Sequence, residues 1–209
     1  DGAGEIIEVG TEITDWNVGD EAVIQPGTYC NDCEFCESGK ENYCFQYGIL
    51  GETENGTNCE YFIARPENIY PKAEHLNWEE AASIQLVSMT TYQMLVTRAK
   101  LQPGETVLIY GATSGIGSAA IQIAKLLGAT VIATVGSEEK RAYAEKMGAD
   151  IIVLHSEGNW IKEIKESVGK KGIQVIFEHI GSATWSSTMR LLGRGGRVVT
   201  CGATTGPKV

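Results

Sequence analysis

From Thr106 onward, short apolar runs rich in β-branched residues alternate with amphipathic ones. Thr106-Val107-Leu108-Ile109 follows the turn signal Pro103-Gly104 and reads as a buried strand, and the stretch from Ser118 to Leu127 reads as a helix closed by Gly128. The alternation continues with a strand from Thr130 to Val135, a helix from Glu138 to Met147 closed by Gly148, and a strand from Ile151 to Leu154. Trp160, Ile161, Ile164 and Val168 mark one face of a further helix, ended by Gly169. Val175-Ile176-Phe177 is a fourth strand, Ser186 to Leu192 a short helix, and Arg197 to Cys201 a fifth strand. Repeated βα units of this kind predict an α/β fold, a doubly wound parallel sheet with helices on both faces.

The first third of the chain carries a different pattern. Ile6-Ile7-Glu8-Val9 and Glu21-Ala22-Val23-Ile24 are β-type runs separated by the turn Asn17-Val18-Gly19-Asp20, and Cys59 to Ala64 reads as another strand ended at Pro66. No long helical period occurs before Asn77, where an N-cap with Glu80 three residues on fits a capping box and opens a helical region reaching about Lys100. The pattern predicts two domains, a small β-rich one over residues 1–80 and the α/β one over residues 81–209.

Composition narrows the function classes. The chain has 209 residues, 43% of them hydrophobic, enough for a substantial core, and a formal net charge of −10. No basic run stands out, which argues against nucleic acid and anionic membranes as partners and leaves a small-molecule substrate. No apolar run reaches membrane-spanning length and no signal peptide is visible, so the expected location is the cytoplasm. The chain opens on Asp1-Gly2-Ala3-Gly4 and stops just after an expected strand, and so reads as an internal stretch of a longer protein.

Six cysteines stand at 30, 33, 36, 44, 59 and 201, and the first four follow C-x2-C-x2-C-x7-C. Cys30, Cys33, Cys36 and Cys44 in one short loop can wrap a tetrahedral Zn²⁺, and with four protein ligands such an ion has no open position for substrate. The expected zinc is therefore structural, within a lobe over about residues 27–47. Two disulfides, free core thiols or an iron–sulfur cluster are the alternatives. Cys59 and Cys201 read as buried thiols.

The stretch Tyr110-Gly111-Ala112-Thr113-Ser114-Gly115-Ile116-Gly117 joins the first α/β strand to its helix. A glycine-rich turn there leaves backbone N–H groups free at a helix N-terminus, an anion site most often used for a dinucleotide pyrophosphate. Ala112, Ser114 and Gly117 hold the G-x-G-x-x-G register with small residues; a plain tight turn without ligand is the alternative. The second strand ends in Thr134-Val135-Gly136-Ser137 with no acid at its tip, where an NAD site usually has one for the ribose hydroxyls. Ser137 as a donor and Lys140 or Arg141 as a cation favour NADP(H) over NAD(H), with Glu138 and Glu139 counting mildly against. His179-Ile180-Gly181 follows the fourth strand on the carboxyl edge of the sheet, where ligands bind.

In this order, the cysteine lobe and the cofactor turn resemble the medium-chain dehydrogenase/reductase superfamily, and the resemblance covers essentially the whole chain. Further support comes from Gly19-Asp20-Glu21-Ala22-Val23, Thr90-Thr91-Tyr92, Gly195 to Val199 and Cys201 to Gly206. The resemblance implies a GroES-like catalytic domain, here partial, with a structural zinc lobe, followed by a Rossmann domain. It implies hydride transfer between the nicotinamide and a carbonyl, quinone or enone, with Thr90 facing the nicotinamide. Thr113, Ser114, Gly115, Ile116 and Gly117 would hold the pyrophosphate, Ser137 and Lys140 the adenosine phosphate, and Gly181 and Gly202 would line the cofactor site. The family forms dimers or tetramers. In its zinc-catalytic members a cysteine lies four residues before the Thr of T-A-Y; here that position is Leu86, which cannot bind zinc. This points to the quinone oxidoreductase-like branch, with a structural zinc and no catalytic one. A zinc-dependent alcohol dehydrogenase with altered ligands, or a non-enzymatic NADPH-binding protein, are the other readings. No residue takes a firm catalytic role: Tyr47 and Tyr92 are possible donors with packing aromatics as the alternative, a plain loop residue is the alternative for His179, and His75 and His155 read as surface or core residues without function.

Overall fold

The structure is a computed structural model that describes residues 1–156 and 158–208. Val209, the last residue of the expected α/β domain, lies outside the described residues. The chain divides into two compact units, Asp1–Leu86 and Val87–Val209; the sequence puts the domain change a little earlier, between residues 80 and 81.

The first unit is built on short antiparallel strands. β1 (Gly2–Glu5), β2 (Glu21–Ile24) and β5 (Ile69–Pro71) form a three-stranded sheet in the order β1-β2-β5, while β3 (Gly27–Thr28) pairs with β4 (Gly48–Ile49). Two expected strands are not formed. The first hairpin uses Gly2–Glu5 rather than Ile6–Val9, because the register Gly2↔Ile24 to Glu5↔Glu21 brings the chain to Ile6, whose N–H donates to the Asp20 carbonyl (2.9 Å). Ile7 beyond it is exposed. Residues 59–64 are not a strand either: Tyr61 and Ile63 are 75% and 97% exposed, and nothing pairs with them among the described residues. β-propensity needs a paired, half-buried surface to act on. Asn68, fully buried, ties β2 to β3 by donating to the carbonyls of Gln25 (2.6 Å) and Gly27 (2.7 Å). A four-residue helix, α1 (Glu34–Glu37), sits in the loop that β3 and β4 close. α2 (Trp78–Ser83) begins with the reciprocal Asn77–Glu80 capping box.

The second unit opens with the remainder of α3 (Gln85–Tyr92), which runs on as a π-helical turn over Gln93–Arg98. β6 (Thr106–Ile109), α4 (Gly115–Leu126), β7 (Thr130–Val135), α5 (Arg141–Met147), β8 (Ile151–Leu154), α6 (Trp160–Val168), β9 (Ile173–Glu178), α7 (Ser182–Leu191) and β10 (Leu192–Thr200) follow. All five strands are parallel, in the order β10-β9-β6-β7-β8, so the chain moves outward one way from β6 and then returns to start on its other side. Strand pleat explains the two cores. Val107 and Ile109 face a cluster with Ala120, Ile121 and Ala124 of α4, whereas Leu108 and Tyr110 face one with Ile164 of α6 and Leu191 of α7. Burial on both faces is what near-continuous apolar strands require.

Some boundaries differ from the sequence expectation. The helix expected at Ser186 starts at Ser182, directly after Gly181 at φ +93. The fifth strand starts at Leu192 and is irregular between Leu192 and Arg197, where the ladder shifts register. Residues 138–140 form a 3₁₀ turn ahead of α5.

Candidate functional site

Two sites stand out, one in each unit. In the first unit, Asn31 takes a left-handed φ of +64, which asparagine tolerates, and folds the chain back between Cys30 and Cys33. Cys33 caps α1, Cys36 lies within it, and Cys44 follows a 3₁₀ turn over Glu41–Tyr43. Phe35 packs edge-on against Phe45 at 5.2 Å and holds the two arms of the lobe together. The four sulfurs lie within 4.8 Å of one another and form the only His, Cys, Asp or Glu group able to hold a metal among the described residues. Cys30–Cys44, Cys33–Cys36 and Cys30–Cys36 are separated by 3.5, 3.6 and 3.9 Å. Tetrahedral zinc with bonds of about 2.3 Å has an S···S edge of about 3.8 Å, so the donor set fits this ion.

All six cysteines are free thiols, which leaves the disulfide alternative without support in this structure. Backbone N–H groups of Cys30 and Gln46 donate to the Cys44 sulfur (3.4 and 3.3 Å). The Cys36 N–H, its largest influence, lowers the Cys33 thiol to about 6, whereas the side-chain hydrogen bond with Asp32 raises Cys30 to about 12. Four clustered thiols resist joint ionisation, and a bound dication removes that resistance. Cys59 and Cys201 are exposed rather than buried as expected: both lie in loops outside the two cores.

In the second unit, the cofactor turn is held from β7. Thr134, itself buried, accepts from Gly111 N–H with its hydroxyl (3.2 Å) and from Ala112 N–H with its carbonyl (3.0 Å). Gly111 has φ +60. Ser114 caps α4, its Oγ accepting from the Gly117 N–H at 3.0 Å. A Cβ on Gly117 would run into the Gly111 carbonyl oxygen, so only glycine lets helix and turn meet here. The N–H groups of Thr113, Gly115 and Ile116 have no protein acceptor among the described residues, and Gly115 is exposed. This is an anion cradle in which a dinucleotide pyrophosphate fits. It lies at the point where the strand order reverses, between the ends of β6 and β9.

The other expected residues fall around it unevenly. Gly181 follows the end of β9, beside His179, whose Nε2–H donates to the Tyr110 carbonyl at 2.9 Å. Gly202 follows β10, exposed, its carbonyl accepting from the Thr200 hydroxyl (3.2 Å). Ser137 precedes the 3₁₀ turn after β7 and Lys140 is that turn's last residue; Ser137 is half-buried and Lys140 exposed. Arg141, the other expected cation, is engaged with Glu138 and with the Ile152 carbonyl, both at 2.7 Å. Thr90 is half-buried on α3 and makes no hydrogen bond to the turn among the described residues; its neighbour Thr91 is buried and donates to the Ile116 carbonyl (3.4 Å). Sequence reading missed Thr134, Thr91 and Glu178. Their partners are distant in sequence, and no local motif marks them.

A doubly wound sheet with an anion cradle at its switch point, and a separate antiparallel unit bearing a four-cysteine lobe, define a two-domain dinucleotide-dependent dehydrogenase class. The comparisons agree: a zinc-binding dehydrogenase family model matches residues 115–209, and an alcohol dehydrogenase GroES-like domain model matches residues 1–74. The chain belongs to the medium-chain zinc-binding dehydrogenase superfamily. It is 32% identical to crotonyl-CoA carboxylase/reductase of Cereibacter sphaeroides over 99% of this chain and 54% of that protein. It is 36% identical to quinone oxidoreductase of Homo sapiens over 74% of this chain and 47% of that one. A crystal structure of an NAD-dependent alcohol dehydrogenase matches with a TM-score of 0.96 at 42% identity, covering 99% of this chain and 60% of that one. The chain thus spans about half the length of the curated relatives it matches.

Proposed function

We propose that the chain serves an NADP(H)-dependent oxidoreductase that transfers a hydride between the nicotinamide and a carbonyl, quinone or enone substrate. The observation that carries the reading is the cradle of unengaged N–H groups at the sheet's switch point. When bound, the dinucleotide supplies the hydride chemistry. The chain's part is to hold and orient it: Thr113, Ser114, Gly115, Ile116 and Gly117 at the pyrophosphate, Ser137 and Lys140 at the adenosine phosphate, Gly181 and Gly202 along the cleft, and Thr90 toward the nicotinamide. NADP(H) over NAD(H) rests on the tip of β7, which carries Gly136-Ser137 and no acid to repel a 2′-phosphate. Ser137→Asp puts that acid back and is expected to shift the preference from NADPH toward NADH by tenfold or more in relative affinity; an unchanged ratio would remove Ser137 from the site.

The four-cysteine lobe is proposed as a structural zinc site. Cys30, Cys33, Cys36 and Cys44 would fill all four positions, leaving the ion nothing to offer a substrate. Leu86, at the position of the family's catalytic cysteine, has no lone pair to give a metal. Developing negative charge on the substrate is then met by hydrogen-bond donors or water. A metal count on the full-length protein separates this from a zinc-dependent alcohol dehydrogenase with altered ligands: one zinc per full-length chain supports it, two would overturn it. Hydride transfer from NADPH to a panel of quinones, enones and aldehydes tests the enzymatic reading, and transfer to none of them would favour a non-enzymatic NADPH-binding role. By the same family likeness we propose a homodimer or homotetramer in the cytoplasm.

A further inference from the structure

Glu178 is fully buried at the end of β9, one residue before the loop that borders the switch point. Its carboxylate is satisfied by four donors and no cation among the described residues. Oε1 accepts from the N–H groups of Ile180 (2.6 Å) and Gly181 (3.1 Å), Oε2 accepts from the Thr188 hydroxyl (2.9 Å), and the Thr184 hydroxyl reaches both oxygens (3.0 and 2.9 Å). Thr188 has a single hydroxyl hydrogen. With that hydrogen on the carboxylate, the Tyr110 hydroxyl at 3.1 Å donates to Thr188 Oγ1. A chain therefore runs Tyr110–Thr188–Glu178 beneath the ends of β6 and β9. On the same pair of strand ends, His179 Nε2–H donates to the Tyr110 carbonyl. The loop's carbonyls are taken as well: that of His179 by the Thr204 hydroxyl (2.8 Å) and that of Ile180 by the Thr205 N–H (2.8 Å).

We propose that Glu178 is the positioning residue of the cofactor crevice: its buried carboxylate fixes the path of Ile180-Gly181 and, through Thr188 and Tyr110, ties that path to the strand feeding the cofactor turn. The inference rests on the reading that a dinucleotide binds at that turn. The chemistry demands a carboxylate, because four donors converge on a group that must accept throughout and donate nowhere. A glutamine would turn an N–H₂ toward Thr188. Thr188 then either turns its hydrogen to Tyr110, stranding the buried Tyr110 hydroxyl hydrogen, or accepts from both neighbours and loses the carboxylate acceptor for its own hydrogen.

The test is calorimetric titration of the full chain with NADPH, for the wild type, Glu178→Gln, Thr188→Val and, as a stability control, Glu105→Gln at the opposite end of the sheet. Expected are a tenfold or greater rise in Kd for Glu178→Gln, at least a threefold rise for Thr188→Val, and a Kd within twofold of wild type for Glu105→Gln despite a lower Tm. In hydride transfer, Glu178→Gln is expected to raise the KM for NADPH while kcat at saturation stays within threefold. Should Glu178→Gln fail to fold, Thr188→Val, which keeps the carboxylate and the side-chain shape, decides. A wild type that binds neither NADPH nor NADH overturns the functional reading and this inference together. A binding wild type with Kd values unchanged in both Glu178→Gln and Thr188→Val, or a Glu105→Gln variant weakened to the same degree, overturns this inference alone.

Discussion

Gly117 has its Cα so close to the Gly111 carbonyl that a methyl group has nowhere to go, and both atoms belong to segments pinned elsewhere. Gly117→Ala is therefore expected to lose NADPH binding and to cost about 1–3 kcal/mol of stability by forced overpacking, as read from the urea midpoint; wild-type-like binding would contradict the close approach. Cys30→Ser removes one of four sulfurs and is expected to release zinc and unfold the lobe around residues 27–47. Metal analysis and near-UV circular dichroism read both, and a zinc content equal to wild type would refute the assignment. Cys30, Cys33, Cys36, Cys44, Ser114 and Gly117 could all be read from the chain because their geometry is local: fixed spacings within one loop or one turn. Glu178 could not. It looks like an ordinary strand-end acid until Thr184, Thr188, Tyr110 and the loop N–H groups are brought around it in space.

At the scale of elements, caps and strand cores were legible and pairing was not. Asn77 and Glu80 signal their capping box in four residues, and Asn77→Ala is expected to cost about 1 kcal/mol, measured as a shift in thermal midpoint; no shift would mean that the first turn of α2 frays without consequence. β7 and β8 carry the limits read from sequence, because each is a short run rich in β-branched residues whose middle is buried. The runs at Ile6 and Cys59 had strand composition without a ladder to join, which composition cannot reveal. The irregular start of β10 is held instead by Arg197, whose guanidinium meets Glu105 (3.0 and 2.5 Å) and the Ala99 carbonyl (2.6 Å). Arg197 lowers the Glu105 carboxyl below its usual 4.5. A lowered carboxylate contributes stability that is present above its unfolded value and lost as pH falls through its folded one. Wild type is thus expected to exceed Arg197→Met in stability at neutral pH, with the gap closing below about pH 4.5, the unfolded reference. Urea midpoints taken from pH 7 to pH 3 follow this, and a gap that stays constant across the range would contradict the pair.

For the whole molecule, the repeating βα pattern implied a doubly wound sheet, but only the strand order β10-β9-β6-β7-β8 shows where it reverses. That reversal puts Gly111 to Gly117 and His179 to Gly181, far apart in sequence, at neighbouring strand ends. The glycine-rich turn thus lies beside the His179–Gly181 loop, while the acid-free tip of β7 lies on the other side of β6. The central claim joins these features: the crevice takes a dinucleotide, and the tip of β7 selects the one with a 2′-phosphate. Titration of the chain with NADPH and NADH in parallel, followed by the fluorescence of the reduced nicotinamide, tests it most directly. The account predicts saturable binding of both with NADPH at least several-fold tighter; tighter binding of NADH, or binding of neither, would contradict it.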